Sequence, residues 1–261
     1  MMQFSLVEQI ALAIFLLSGI SFFLYHLLLR LKIILKGKSD FSIDQLPKRI
    51  ARVFDEVILH KKVASGKRKS AGILHALVMY GFIFFGLITI NHFGMAFGLP
   101  IFSDSIRHTY FLFFGAPWAI LCSIGILGLA YRRFIIKPEA LGKFSSTSAI
   151  VSVFIVTLMV TYLIDEFHIL SGASEKFNWW LHSGVIGGFL FLIPQSKHMH
   201  LVLSPFNIFL RPFEVPSHGA IPIDMEASEE ELDNLLLDLS RLSKDQALDI
   251  FTCVECGRCT D

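Results

Sequence analysis

Residues Trp179–Arg211 read WWLHSGVIGGFLFLIPQSKHMHLVLSPFNIFLR, an apolar stretch with one histidine near its start and two near its end. It is long enough to cross a hydrocarbon core of about 30 Å as a helix, with its tryptophans and Lys197 at opposite interfaces. His182 and His200 are 18 positions apart, which at about 100° per residue is about five whole turns. A continuous helix would therefore project both imidazoles from one face at opposite depths, one ligand for each of two haems.

The rest of the chain agrees with a membrane setting. Hydrophobic residues make up 54% of its 261 residues and the mean hydropathy is +0.61, more than a soluble core requires. Five apolar runs are long enough to span: Val7–Leu29, Ala71–Ile90, His108–Tyr131, Ala149–Ile164 and Trp179–Leu203. The net charge is only +1, but twelve Lys and Arg fall between Arg30 and Lys69 and four between Arg132 and Lys143, against Arg107 and Lys176 in the other two loops. Because positive loops stay cytoplasmic, the N-terminus is expected outside and the C-terminal segment inside. Met1–Phe4 carries no basic leader, so the first run reads as a retained helix and not a signal peptide.

Within the first basic loop, Ile43, Leu46, Ile50, Val53, Phe54, Val57 and Ile58 fall on one stripe, with Lys48, Arg49 and Arg52 on or beside the other face. This predicts an amphipathic surface helix over about 42–60, capped by Asp40 or Ser42 and lying among lipid headgroups. An arginine there can also meet a haem propionate.

The second span carries His75 near its inner end and His92 at its outer end. It runs antiparallel to the fifth span, so His75 matches His200 in depth and His92 matches His182. His26 reads as an interfacial residue, Cys122 as a small buried hydrophobe, and His108 and His168 as solvated residues at the outer span ends. Ser204–Asp224 holds four prolines and is expected to be extended. Ser228 with Glu231, and Ser243 with Gln246, are capping-box signals for two soluble helices after it.

The end of the sequence, FTCVECGRCTD, places Cys253, Cys256 and Cys259 in a C-x2-C-x2-C loop. That spacing suits three ligands of a 4Fe-4S cluster, whose fourth cysteine comes later in the chain. A structural zinc site more often uses two separated pairs. The natural chain is thus expected to continue beyond Asp261.

LHSGVIGGFLFLIPQSKHMH and GILHALVMYGF resemble the gamma-subunit family of respiratory nitrate reductase, a dihaem cytochrome b. CVECGRC resembles the first cluster motif of iron–sulfur domains related to heterodisulfide reductase, found in membrane-bound Fe-S oxidoreductases such as electron-transfer-flavoprotein:menaquinone oxidoreductases. The resemblance implies that His182 and His200 ligate different haems and that His75 is the partner of His200. It places the fourth ligand at Phe85, which cannot bind iron, leaving His92 as the candidate. His198 matches no ligand and is assigned to a propionate or a quinone.

Together these readings predict an all-α membrane protein. Residues 1–211 form a five-transmembrane-helix cytochrome b domain, 212–225 a linker, and 226–261 the start of a cytosolic ferredoxin-like 4Fe-4S domain. In the cell membrane of a prokaryote it would pass electrons between a cytosolic carrier, such as electron transfer flavoprotein, and menaquinone or a related quinone. One or two b-type haems would carry them. The alternative is a haem-free membrane anchor for a cytosolic oxidoreductase. Neither reading calls for nucleic acid.

Overall fold

A computed structural model describes residues 3–38, 41, 43–65, 68–142, 144–213 and 242–254. Its helices, in chain order, are α1 (Leu6–Ile34), α2 (Leu46–Val53), α3 (Lys69–Ala96), α4 (Asp104–Tyr110), α5 (Ala116–Tyr131), α6 (Ser146–Glu166), α7 (Ala173–Leu192), α8 (His200–Leu210) and α9 (Lys244–Thr252). Short π-helical turns continue α2 to Ile58, join α4 to α5, and continue α5 to Ile136. No strand occurs among the described residues.

Four helical stretches are long and apolar enough to cross a membrane: α1, α3, Ser105–Ile136 and α6. Their large apolar side chains point outward, as with Ile14, Leu17, Phe82, Ile120 and Val153. Each would cost about 1.5–3 kcal/mol if left in water, so this surface suits lipid and the chain is a helical membrane protein. The fifth expected span differs. α7 is 20 residues long, but Glu175, Lys176, Asn178, His182 and Ser183 dilute its apolar character.

Nor is Trp179–Arg211 one helix. It breaks after Leu192 into two 3₁₀ turns, Ile193–Gln195 and Lys197–Met199, and restarts at His200. Pro194 has no N–H to continue the ladder, and its ring would clash with the carbonyl one turn back. Ser196 is extended (φ −130°, ψ 171°) and its hydroxyl accepts from His198 N. His182 and His200 therefore share no continuous helix, and the expected spacing of five whole turns does not set their register. A second correction lies just beyond, where α8 runs to Leu210 with Pro205 inside it, although this segment was expected to be extended.

The described chain forms two compact units, residues 3–20 with 62–191 and residues 21–61 with 192–254. In the first, α3 and α5 meet along small residues. A Cβ on Gly81 would press on Cys122, and one on Gly125 would lie 2.7 Å from Leu74 O. Small residues let apolar helices approach closely where no hydrophobic force drives them together. Cys122 is buried here with Phe111, Ala119, Met159 and Tyr162, as a small hydrophobe should be, and Phe85 packs against this cluster. α1 joins through Gly187, whose missing side chain makes room for Phe15.

In the second unit α2 lies on α8. Its helix starts at Leu46 after Gln45 in the left-handed region, with no side-chain cap; Asp40 and Ser42 lie outside the described residues. Ile43, Leu46, Ile50 and Phe54 are exposed, as expected for a face turned to lipid. Arg49 is not on a solvated face. It is 1% exposed and donates to Asp44 O, Asp44 Oδ1, Phe209 O and Arg211 O. The last two are carbonyls that the end of α8 would otherwise leave unpaired. Arg52 also donates to Arg211 O and stacks over Phe213 at 3.8 Å. Burial first, and then Arg211, lowers the Arg52 guanidinium below its usual value.

α9 bears out its sequence signal. Ser243 Oγ accepts from Gln246 N, and the Gln246 side chain accepts from Ser243 N. Asn207 of α8 donates to Asp249 Oδ1 at 2.8 Å and to Thr252 Oγ1, which holds the residue before Cys253. Cys256, Cys259 and the Ser228–Glu231 signal lie outside the described residues.

Candidate functional site

In the first unit a cavity of about 170 Å³ opens where the C-terminal ends of α3 and α6 meet the N-terminal ends of α4 and α7. Each wall is built by local sequence. Asn91 Oδ1 accepts from Ile101 N and Phe102 N at 2.9 and 3.0 Å, tying the loop after α3 back onto the helix. Gln9 donates to Ala96 O and so completes a carbonyl at the end of α3. α6 closes with His168 in the left-handed region (φ 52°), where Ile169 N reaches Ile164 O. A residue other than glycine there costs about 1–2 kcal/mol, and His168 lines the cavity in spite of that.

His92 and His182 meet on the wall. Thr161 Oγ donates to Thr157 O at 2.6 Å, and its single proton is thereby used. It must then accept from His182 Nδ1, 2.7 Å away, which leaves the lone pair of this imidazole on Nε2. Asn178 donates to Thr161 O and holds the same turn. His92 stacks on Trp179 with centroids 4.7 Å apart and planes 14° from parallel, and its Nε2 lies 2.9 Å from the Oγ of the fully buried Ser183.

Sequence depth-matching thus pairs the right two histidines, but their geometry does not suit a shared haem. Their ring centroids are 5.0 Å apart. Two metal–imidazole bonds of about 2 Å each set the donor nitrogens about 4 Å apart and the ring centres roughly 6 Å apart. His92 would also have to leave Ser183. The cavity falls below the ~300 Å³ at which pockets for drug-sized ligands begin, and a macrocycle is larger still.

The remaining wall is ionisable. Arg107 pairs with Glu166 at 3.2 Å, and Asp165, Glu175 and His168 stand nearby in the lining. Buried Arg107 Nε has no hydrogen-bond partner among the described residues. Of the lining residues, the sequence places His92 and His168 at outer span ends. Sequence reasoning missed Thr161, Ser183, Asn178 and Tyr110, which read as ordinary helix residues until packing turned them inward.

The other predicted ligands lie elsewhere. His75 is half-buried on α3 in the first unit, while His198 and His200 belong to the second. His200 Nδ1 is 2.9 Å from Lys197 O, an arrangement that fixes the tautomer and leaves the ring lone pair on Nε2, as in metal-ligating histidines. His198 Nδ1 is 3.2 Å from Ser196 Oγ. Cys253, at the end of α9, is exposed. His108 is exposed as expected.

The chain is similar to a probable iron-sulfur-binding oxidoreductase, FadF, of Bacillus subtilis, with 30% identity over 271 aligned residues that cover 92% of the chain and 37% of that relative. It is also similar to the EtfAB:quinone oxidoreductase of Syntrophomonas wolfei, with 22% identity over 295 residues, covering 95% of the chain and 39% of that relative. The chain spans less than two fifths of the length of either. No known family model matches it. No solved structure matches it.

Proposed function

We propose that the chain is the membrane part of an iron–sulfur oxidoreductase that passes electrons between a cytosolic iron–sulfur or flavoprotein donor and the membrane quinone pool. The observation that carries this reading is the cavity at one end of apolar helices, lined by ionisable groups and by two hydrogen-bonded histidines. A quinone needs both a lipid route and protons, and ionisable residues at membrane depth mark such sites. The names of the two relatives, an iron-sulfur-binding oxidoreductase and a quinone oxidoreductase, support the same class.

On this reading Cys253, Cys256 and Cys259 begin a 4Fe-4S site. His75 and His200 would hold a b-type haem, as the sequence resemblance implies, with His198 at a propionate or at a quinone. When bound, such a haem supplies one-electron transfer without an open coordination position. The Nδ1 contact of His200 with Lys197 O supports its role as a ligand, since it holds the ring in one tautomer. α7 is the fifth span, and the segment carrying the cysteines faces the cytoplasm.

A reduced-minus-oxidised spectrum of the purified full-length protein tests this directly. It should show a b-type haem that His75→Ala and His200→Ala each remove without loss of membrane insertion. A protein with no haem signal, or one that keeps full haem content after His75→Ala, would overturn the assignment. Failure to turn over any quinone would overturn the class.

A further inference from the structure

His92 and His182 are held too carefully to be packing residues, and too close together to share an iron. Phe85, where the resemblance expects the missing ligand, is spent in the core against Tyr162 at a centroid distance of 5.0 Å. We infer that this pair, with Arg107, forms the headgroup seat of a quinone in place of a second haem. The inference rests on the quinone-linked reading above and assigns its site.

Size comes first. A cavity of about 150 Å³ lined by apolar side chains accepts benzene, so about 170 Å³ has room for the quinone ring itself, with the second ring of a naphthoquinone left at the open side. Charge comes second. One arginine stands among Asp165, Glu166 and Glu175, a balance that repels a phosphate or carboxylate and tolerates a neutral molecule.

Donor pattern comes third. Arg107 lines the cavity with its guanidinium paired to Glu166 at 3.2 Å, and a guanidinium with five N–H groups has donors to spare for a carbonyl oxygen. The Thr161 contact leaves the lone pair of His182 on Nε2, which can accept from the hydroxyl of the reduced ring. Trp179, stacked behind His92, stiffens that wall. A neutral, lipid-soluble ring with an oxygen on each side, in either oxidation state, meets all three conditions.

The test uses the full-length protein with menadione as the probe. Haem per chain is read from the reduced-minus-oxidised spectrum, and binding from quenching of tryptophan fluorescence, since Trp179 lines the cavity. The unaltered protein should hold one haem per chain. His92→Ala and His182→Ala should keep that haem while the quench midpoint rises about tenfold or more. If either alanine variant does not fold, Ser183→Ala, which keeps both rings, should raise the midpoint several-fold at unchanged haem content. Loss of haem from a folded His92 or His182 variant would overturn the inference, and so would unchanged midpoints in both. Absence of menadione turnover by the unaltered protein would instead sink the quinone-linked reading itself.

Discussion

The two units bury polar side chains in opposite ways. Around α8, Arg49 and Arg52 give their hydrogen bonds to backbone carbonyls at a helix end, so their charge is consumed in finishing secondary structure. Around the cavity, His182 and His92 bond to the hydroxyls of Thr161 and Ser183, and Arg107 keeps one N–H without a partner among the described residues. A buried cation that closes the backbone is structural. A buried polar group whose neighbours merely orient it is prepared for something that arrives later.

The sharpest way to break this contrast is Arg49→Ala. It strands the carbonyl of Phe209, while Arg211 O keeps its bond from Arg52, and an unsatisfied buried polar group costs about 1–3 kcal/mol, so a loss of about 2 kcal/mol in unfolding free energy is expected. Menadione affinity of the folded fraction should not move. Thermal unfolding in detergent, followed by quench titration below the transition, checks both halves. A weakened menadione midpoint would show that the arginine region also serves the ligand.

Thr161→Val should do the reverse at smaller cost. It keeps the shape but removes the group that orients His182, and a tenfold weaker menadione midpoint, about 1.4 kcal/mol, is expected at unchanged haem content. An unaltered midpoint would reduce His182 to a packing residue. The smallest effect is expected for His168→Gly, which relieves the left-handed backbone at φ 52° and should stabilise the protein by about 1 kcal/mol. Slower quinone turnover in that variant would show that the strain is kept for the side chain.

Much of this was legible in the sequence, and the reasons for the rest are physical. Apolar runs disclosed α1, α3, α5 and α6 because lipid exposure forces composition to follow length. The Ser243–Gln246 capping box disclosed α9 because both partners are local. Depth-matching found the His92–His182 pair, since antiparallel helices convert numbering into height. What one dimension could not carry was rotation. Arg49 and Lys48 are neighbours in sequence, yet only Arg49 points at α8. Thr161 and Ser183 became partners of histidines through packing that no spacing rule encodes. Pro194 was visible, but whether it would kink the helix or break it depended on Ser196 taking the extended backbone that starts the next turn.

That break also sets how the chain tolerates change. In an unbroken helix one inserted residue would rotate everything after it by about 100° and swing His200 away from its bearing. Between Leu192 and His200 the hydrogen-bond ladder is already interrupted, so an added or lost residue can be absorbed as a change of loop length. The histidine on α7 and the histidine that opens α8 can therefore be tuned separately, each within its own helix, like two instruments coupled through a slack joint.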